Sequence, residues 1–219
     1  MEPGIDTIIC PSPEEISARK DRLWATLQTD VSTCRLCALA ETRTRTVFGE
    51  GPLGSSLMFV GEGPGADEDE QGLPFVGKAG QLLTTILSAA GINRAEVFIG
   101  NVVKCRPPNN RVPSVEEMMA CDGYLQAQIA LVSPRILVLL GSTPTRWILK
   151  TTAPIGDLRG KWLKWRGIEV FPMYHPSYLL RNQSRAVGSP KDLTWRDIRE
   201  VKRHWDELFG RAKPANAES

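Results

Sequence analysis

From Leu57 to Val60 the chain is continuously apolar; it then breaks at Gly61, Gly63, Pro64 and Gly65 and recovers a helical pattern from Lys78 onward. That order predicts a strand, a tight loop and a helix. The alternation recurs. A helix over 79–90 ends at Gly91, a good C-cap, and a second strand is predicted over 97–103. Residues 107–113 must form a loop, and Ser114 with Glu117 is a capping-box signature for a helix running to about Leu131. A third strand over 135–140, a short helix over 143–150 and a fourth strand over 169–173 follow. The last helix, about 192–209, places Trp195, Ile198, Val201, Trp205 and Leu208 on one stripe. Ahead of all these, Ile16, Leu23, Trp24 and Leu27 recur at helical spacing over 14–30. Strands alternating with helices predict an α/β fold, a three-layer α/β/α single domain around a central four-stranded parallel sheet. Residues 1–13, with three prolines, read as a flexible leader, 14–210 as the domain and 211–219 as a frayed tail.

A length of 219 residues, with 42% hydrophobic and 24% charged, suits one soluble domain with a full core. No apolar run approaches the roughly 20 residues that span a bilayer, so no membrane association is expected. The opening MEPGIDTIIC lacks a basic segment followed by an apolar one, and a cytoplasmic location is expected. A net charge of +2 is too small to imply nucleic acid by itself. The loop after a strand's carboxyl end is where open α/β sheets bind ligands, which directs attention to 61–77. That window holds five acids, Glu62, Asp67, Glu68, Asp69 and Glu70, and one aromatic, Phe75. It lacks the Gly-Lys-Ser/Thr ending of a phosphate loop.

Cys34 and Cys37 form a C-x-x-C pair, and Cys105 and Cys121 follow singly. A zinc ribbon usually repeats the pair, and a redox dithiol needs no further cysteines. Four thiolates with one close pair suit an iron-sulfur cluster, with zinc as the alternative that spacing leaves open. Cys10, in the proline-rich leader, reads as a bystander.

GEGPG with PFVGKAGQLL, NVVKCRPP, the four cysteines, LVLLG and HPSYLLRN together resemble the family 4 uracil-DNA glycosylases, the iron-sulfur branch of that superfamily. The resemblance spans about 34–182 in order. It implies a monofunctional DNA glycosylase that flips uracil out of DNA and hydrolyses its N-glycosidic bond, initiating base excision repair. It implies a structural iron-sulfur cluster, most readily 4Fe-4S, on Cys34, Cys37, Cys105 and Cys121. The partner is uracil-containing DNA, and a monomer is expected.

The resemblance also implies roles. Phe75 matches the residue that stacks on the everted base, Asn101 the base reader, and His175 the donor to uracil O2. Glu62 is assigned to stabilising the sugar cation or orienting the attacking water. Better-known family 1 enzymes carry an Asp one position later, where this chain has Gly63. Gly61 and Gly63 are expected to border the substrate, and Glu68 to sit near the C5 edge, excluding thymine's methyl. Leu179 or Leu180 is expected as the wedge that fills the vacated stack, with Arg181 on a phosphate. Arg111, Lys161, Lys164, Arg166 and Arg185 are expected as a set of phosphate contacts. Two alternatives are a relative that traps uracil-DNA covalently and a non-catalytic damage-binding module. Trapping relatives have a histidine nucleophile after the second strand, and here that segment is RPPNNRVPS.

Overall fold

The computed structural model describes residues 12–210, so Cys10, most of the expected leader and the expected tail lie outside the described residues. Ser12 and Pro13, assigned to the leader, instead begin helix α1 (Pro13–Thr33), with Ser12 and Glu15 forming a capping box. In order follow α2 (Leu39–Thr42), β1 (Leu57–Gly61), α3 (Ala66–Gln71), α4 (Lys78–Ala89), β2 (Phe98–Asn101) and α5 (Val115–Val132). Then come β3 (Ile136–Leu140), α6 (Ser142–Leu149), α7 (Ile155–Leu158), β4 (Leu163–Trp165), β5 (Ile168–Met173), α8 (Pro176–Arg181) and α9 (Pro190–Phe209).

The sheet has five strands in the order β2-β1-β3-β5-β4. β1, β2, β3 and β5 are parallel, as expected, whereas β4 pairs antiparallel with β5 and corrects the expected count of four. Arg166 and Gly167 join β4 to β5 with φ of 49° and 81°. Positive φ at both positions of a two-residue loop closes a tight hairpin whose twist matches its strands. A three-residue strand with Lys164 at its centre offers no apolar run to read.

Alternate residues of each strand feed opposite faces of the sheet. Leu57, Phe59, Ile99, Val138 and Phe171 pack under α4 and α9, where Leu83, Leu87, Ile198, Val201 and Trp205 close one core. Met58, Val60, Phe98, Leu137, Leu139 and Val170 pack under α5, through Cys121, Leu125, Ile129 and Val132, and close the other. This is the expected three-layer arrangement. The α9 stripe is buried only at its middle; Trp195 and Leu208, near its ends, remain 39% and 40% exposed. The carboxyl ends of β1, β2, β3 and β5 all open on one rim, and the site is built there.

Candidate active site

At that rim the main chains of β1 and β2 stay paired past the ends of the strands. Gly61 pairs with Asn101 in register, and Val102 and Val103 then donate to the carbonyls of Gly61 and Glu62 at 2.9 and 3.1 Å. Glu62 and Asn101 are thereby fixed side by side at the mouth of a cleft of about 1030 Å³. Glu62, Gly63, Glu68, Phe75, Asn101, Thr143, Arg146, His175, Leu180 and Arg181 all border it. Glu62, Phe75, Asn101 and His175 thus share one cavity. Its volume exceeds that of a typical small-molecule pocket, which leaves room for a base with its attached sugar and phosphates.

Gly61 is required by close approach. A Cβ on it would stand 2.5 Å from Asn101 Oδ1 and 2.6 Å from Phe75 Cζ, so the amide and the ring converge over a backbone that carries no side chain. Asn101 is 2% exposed, and its Oδ1 has no hydrogen-bond partner among the described residues. A buried acceptor left unpaired costs about 1–3 kcal/mol, and it is satisfied when a ligand brings a donor. Phe75 has φ 54°, a strained conformation for an aromatic residue. It is held there from below by Gly80, whose Cβ would lie 1.9 Å from the Phe75 carbonyl, and Arg94 grips the preceding Pro74 carbonyl at 2.7 Å.

His175 is the N-cap of α8, followed by Pro176 at the first helical position. Its Nδ1 accepts from the Ser177 N–H at 3.1 Å and lies 2.8 Å from Ser177 Oγ. An acceptor at Nδ1 assigns the neutral ring's proton to Nε2, which has no protein partner among the described residues and is free to donate. Burial, with the Arg181 guanidinium adding to it, pulls the imidazole from 6.5 to about 4. The ring is therefore uncharged at neutral pH. Gly141, at φ 97°, admits it, since a Cβ there would sit 3.0 Å from His175 Cβ. His204, the other histidine, is engaged far from the cleft by Glu169 at 2.7 Å and by the Trp162 ring.

The carboxylates divide. Glu62 Oε2 accepts from Thr143 Oγ1 at 2.5 Å, which orients it toward the cleft. Glu68 borders the cleft, but its Oε1 accepts from Val76 and Gly77 N–H and its Oε2 from Gly65 N–H, at 2.8–3.0 Å, so it ties the loop together. Asp69 is buried and braces the main chain at Thr44 and Arg45. Of the five acids, Glu68 thus caps the loop's own amides, and Asp69 ties the loop to residues 44–45.

Of the two candidate wedges, Leu179 is 2% exposed and packs inward, while Leu180 is 37% exposed on the cleft's edge beside Arg181. The assignment to Leu179 is corrected: its side chain is buried and does not border the cleft, whereas that of Leu180 does. Arg111 borders the cleft, yet Glu117 clamps its guanidinium through two bonds of 2.6 and 2.8 Å. Lys161, Lys164, Arg166 and Arg185 do not border it; the other cations that do are Lys78, Arg146 and Arg181. Thr143, Arg146 and Ser177 were not singled out by sequence, because a hydroxyl at a helix start or a lone Arg within a helix carries no pattern of its own.

Away from the cleft, Cys34, Cys37, Cys105 and Cys121 line one mostly apolar chamber between α1, the loop after β2, and α5. Burial pushes the Cys105 thiol up to about 11 and raises that of Cys121, so these two thiols stay protonated when unligated. Cations and donors nonetheless face the sulfurs: Arg43 donates to Cys105 Sγ at 3.2 Å and the Lys104 N–H to Cys121 Sγ at 3.3 Å. Such donors suit anionic, metal-bound thiolates. No three His, Cys, Asp or Glu side chains among the described residues are grouped as a site for a metal ion.

Compared with known proteins, residues 48–199 match the model of the uracil DNA glycosylase superfamily. A type-4 uracil-DNA glycosylase of Thermotoga maritima is 44% identical over 185 residues, 84% of this chain and 95% of the relative. One from Sulfurisphaera tokodaii is 45% identical over 80% of this chain and 83% of its own length. A third, from Pyrobaculum aerophilum, is 43% identical over 74% and 87%. With the model matched over most of the chain and relatives of 43–45% identity matched over most of their length, this chain belongs to the uracil DNA glycosylase superfamily.

Proposed function

We propose that this protein removes uracil from DNA by hydrolysing its N-glycosidic bond, and so starts base excision repair. The observation that carries this reading is the buried, unpartnered Asn101 Oδ1 beside the Phe75 ring, in the same cleft as His175. Uracil presents N3–H as a donor and O4 as an acceptor, which one side-chain amide meets with Oδ1 and Nδ2. Cytosine inverts both, leaving two mismatched polar groups at about 1–3 kcal/mol each. Stacking on Phe75 adds roughly 1–3 kcal/mol and offsets part of the cost of extracting the base.

As the bond breaks, negative charge collects on the departing uracil and positive charge on the sugar. His175 donates Nε2–H to uracil O2, and because the ring is already neutral it stabilises the anion without having to give up a proton. Glu62, held by Thr143, stabilises the sugar cation or orients the attacking water. Glu68 acts on thymine exclusion through the loop it ties together. Leu180 fills the vacated stack, with Arg181, Arg146 and Lys78 toward phosphates.

The four cysteines fit a 4Fe-4S cluster better than a single zinc. Four thiolates with one close C-x-x-C pair suit an iron-sulfur cluster, and all four line one chamber in which Arg43 and the Lys104 N–H donate to sulfur. Such a cluster would supply a cross-link between α1, the loop after β2, and α5. Hydrolysis is favoured over covalent trapping because the 107–113 loop holds no histidine and His204 is committed elsewhere. The test is a U·G duplex incubated with purified protein. Free uracil, alkali-labile abasic sites and no protein–DNA adduct on a denaturing gel are expected; an unchanged duplex overturns the reading.

A further inference from the structure

Asn101 ends β2, an edge strand, and because the next amide, Val102 N–H, turns toward β1, the Asn101 carbonyl faces away from the sheet. Its partner is Lys104 Nζ, at 2.7 Å. Lys104 is 1% exposed, and the same ammonium donates to Gln128 Oε1 at 2.5 Å. Gln128, fully buried, is held in turn by the Phe48 carbonyl, which accepts from its Nε2 at 2.7 Å. An ammonium is a costly way to fill core volume, since methionine occupies similar space without the loss of hydration. Lys104 also touches the cysteine chamber through its own N–H on Cys121 Sγ and precedes Cys105. The run 101–105 therefore joins the cysteine chamber to the base-facing amide, and Lys104 contacts both ends.

We propose that Lys104 is a positioning residue for base recognition: its ammonium pins the Asn101 main chain to the Gln128–Phe48 brace, so that the Asn101 amide stays aimed at the base. The proposal rests on the reading of Asn101 as the group that recognises uracil. Without the ammonium, the strand end is held only by its bonds to β1, its outer carbonyl is left unpaired, and the aim of the amide loosens.

A double-mutant cycle of Lys104→Met and Asn101→Ala, scored as kcat/KM on a single-stranded uracil oligonucleotide, tests it. Single-stranded substrate removes the cost of opening a duplex. Losing a hydrogen bond from a charged group lowers kcat/KM by about 10- to 100-fold when Asn101 is present. In the Asn101→Ala background the same substitution should matter less than about threefold, since nothing remains to be aimed. Visible absorbance should match that of the parent, because the main-chain donor to Cys121 is untouched. Equal losses in both backgrounds, or no loss in either, overturn the proposal. Should Lys104→Met fail to fold, Gln128→Leu removes the far anchor and enters the same cycle: a loss masked by Asn101→Ala supports the proposal, and an additive loss refutes it. Failure of the underlying reading is separate, since Asn101→Ala would then leave the rate unchanged.

Discussion

Lowering the pH probes His175 directly. Its folded pKa is about 4 against 6.5 for an ordinary imidazole. Because the folded value is depressed, the unfolded chain binds the extra proton first as pH falls, and stability is lost from about pH 6.5 downward, levelling off below about 4. The span between those values, at 1.36 kcal/mol per pH unit, is about 3 kcal/mol at most, since the ring keeps some contact with solvent. Carboxylates titrate in part of the same window, so the measurement is a difference. Urea unfolding of the parent and of His175→Gln is followed from pH 7.5 to 4, and the parent should lose up to about 3 kcal/mol relative to the variant. In parallel, the acid limb of kcat/KM for the parent should lie below pH 5. Parallel stability curves, or an acid limb near pH 6.5, would refute the claim that a neutral, desolvated imidazole faces the substrate.

Three further outcomes follow from the same geometry. Gly61→Ala places a methyl 2.5 Å from Asn101 Oδ1, and kcat/KM should fall by at least about tenfold while the melting temperature stays close to that of the parent; wild-type kinetics would show that the amide and ring do not meet there. Leu180→Ala should reduce activity on a U·A duplex several-fold more than on single-stranded uracil DNA, and Leu179→Ala should instead lower the melting temperature, costing about 2–5 kcal/mol as a buried Leu. Iron and zinc analysis of protein purified without oxygen should give about four iron per chain and little zinc, and cluster removal by oxidation and chelation should lower the melting temperature.

Much of the layout was legible because the central strands are continuous apolar runs, LMFV and ILVLL, that a sheet covered on both faces requires. The Ser114–Glu117 box marked the start of α5 within a residue for the same local reason, since a cap is a short-range bond. β4 was not legible: its identity comes from pairing with β5 and from the backbone at Arg166–Gly167, not from its side chains. At the site, the resemblance singled out Asn101, Phe75 and His175, but not how they are held. Gly141, Thr143 and Lys104 act through His175, Glu62 and Gln128, partners 24 to 81 residues away in sequence, which no local pattern encodes. The acids of the 61–77 loop looked alike in sequence, and only their partners separate Glu62, which faces the cleft, from the braces Glu68 and Asp69.

The most direct measurement is a crystal structure of the protein with DNA carrying a 2′-fluoro-2′-deoxyuridine, whose glycosidic bond resists cleavage. The account predicts the uracil turned out of the strand and stacked on Phe75, with N3 within hydrogen-bonding distance of Asn101 Oδ1, O2 facing His175 Nε2 and Leu180 in the gap. A uracil left in the stack, or bound away from Asn101, would contradict it.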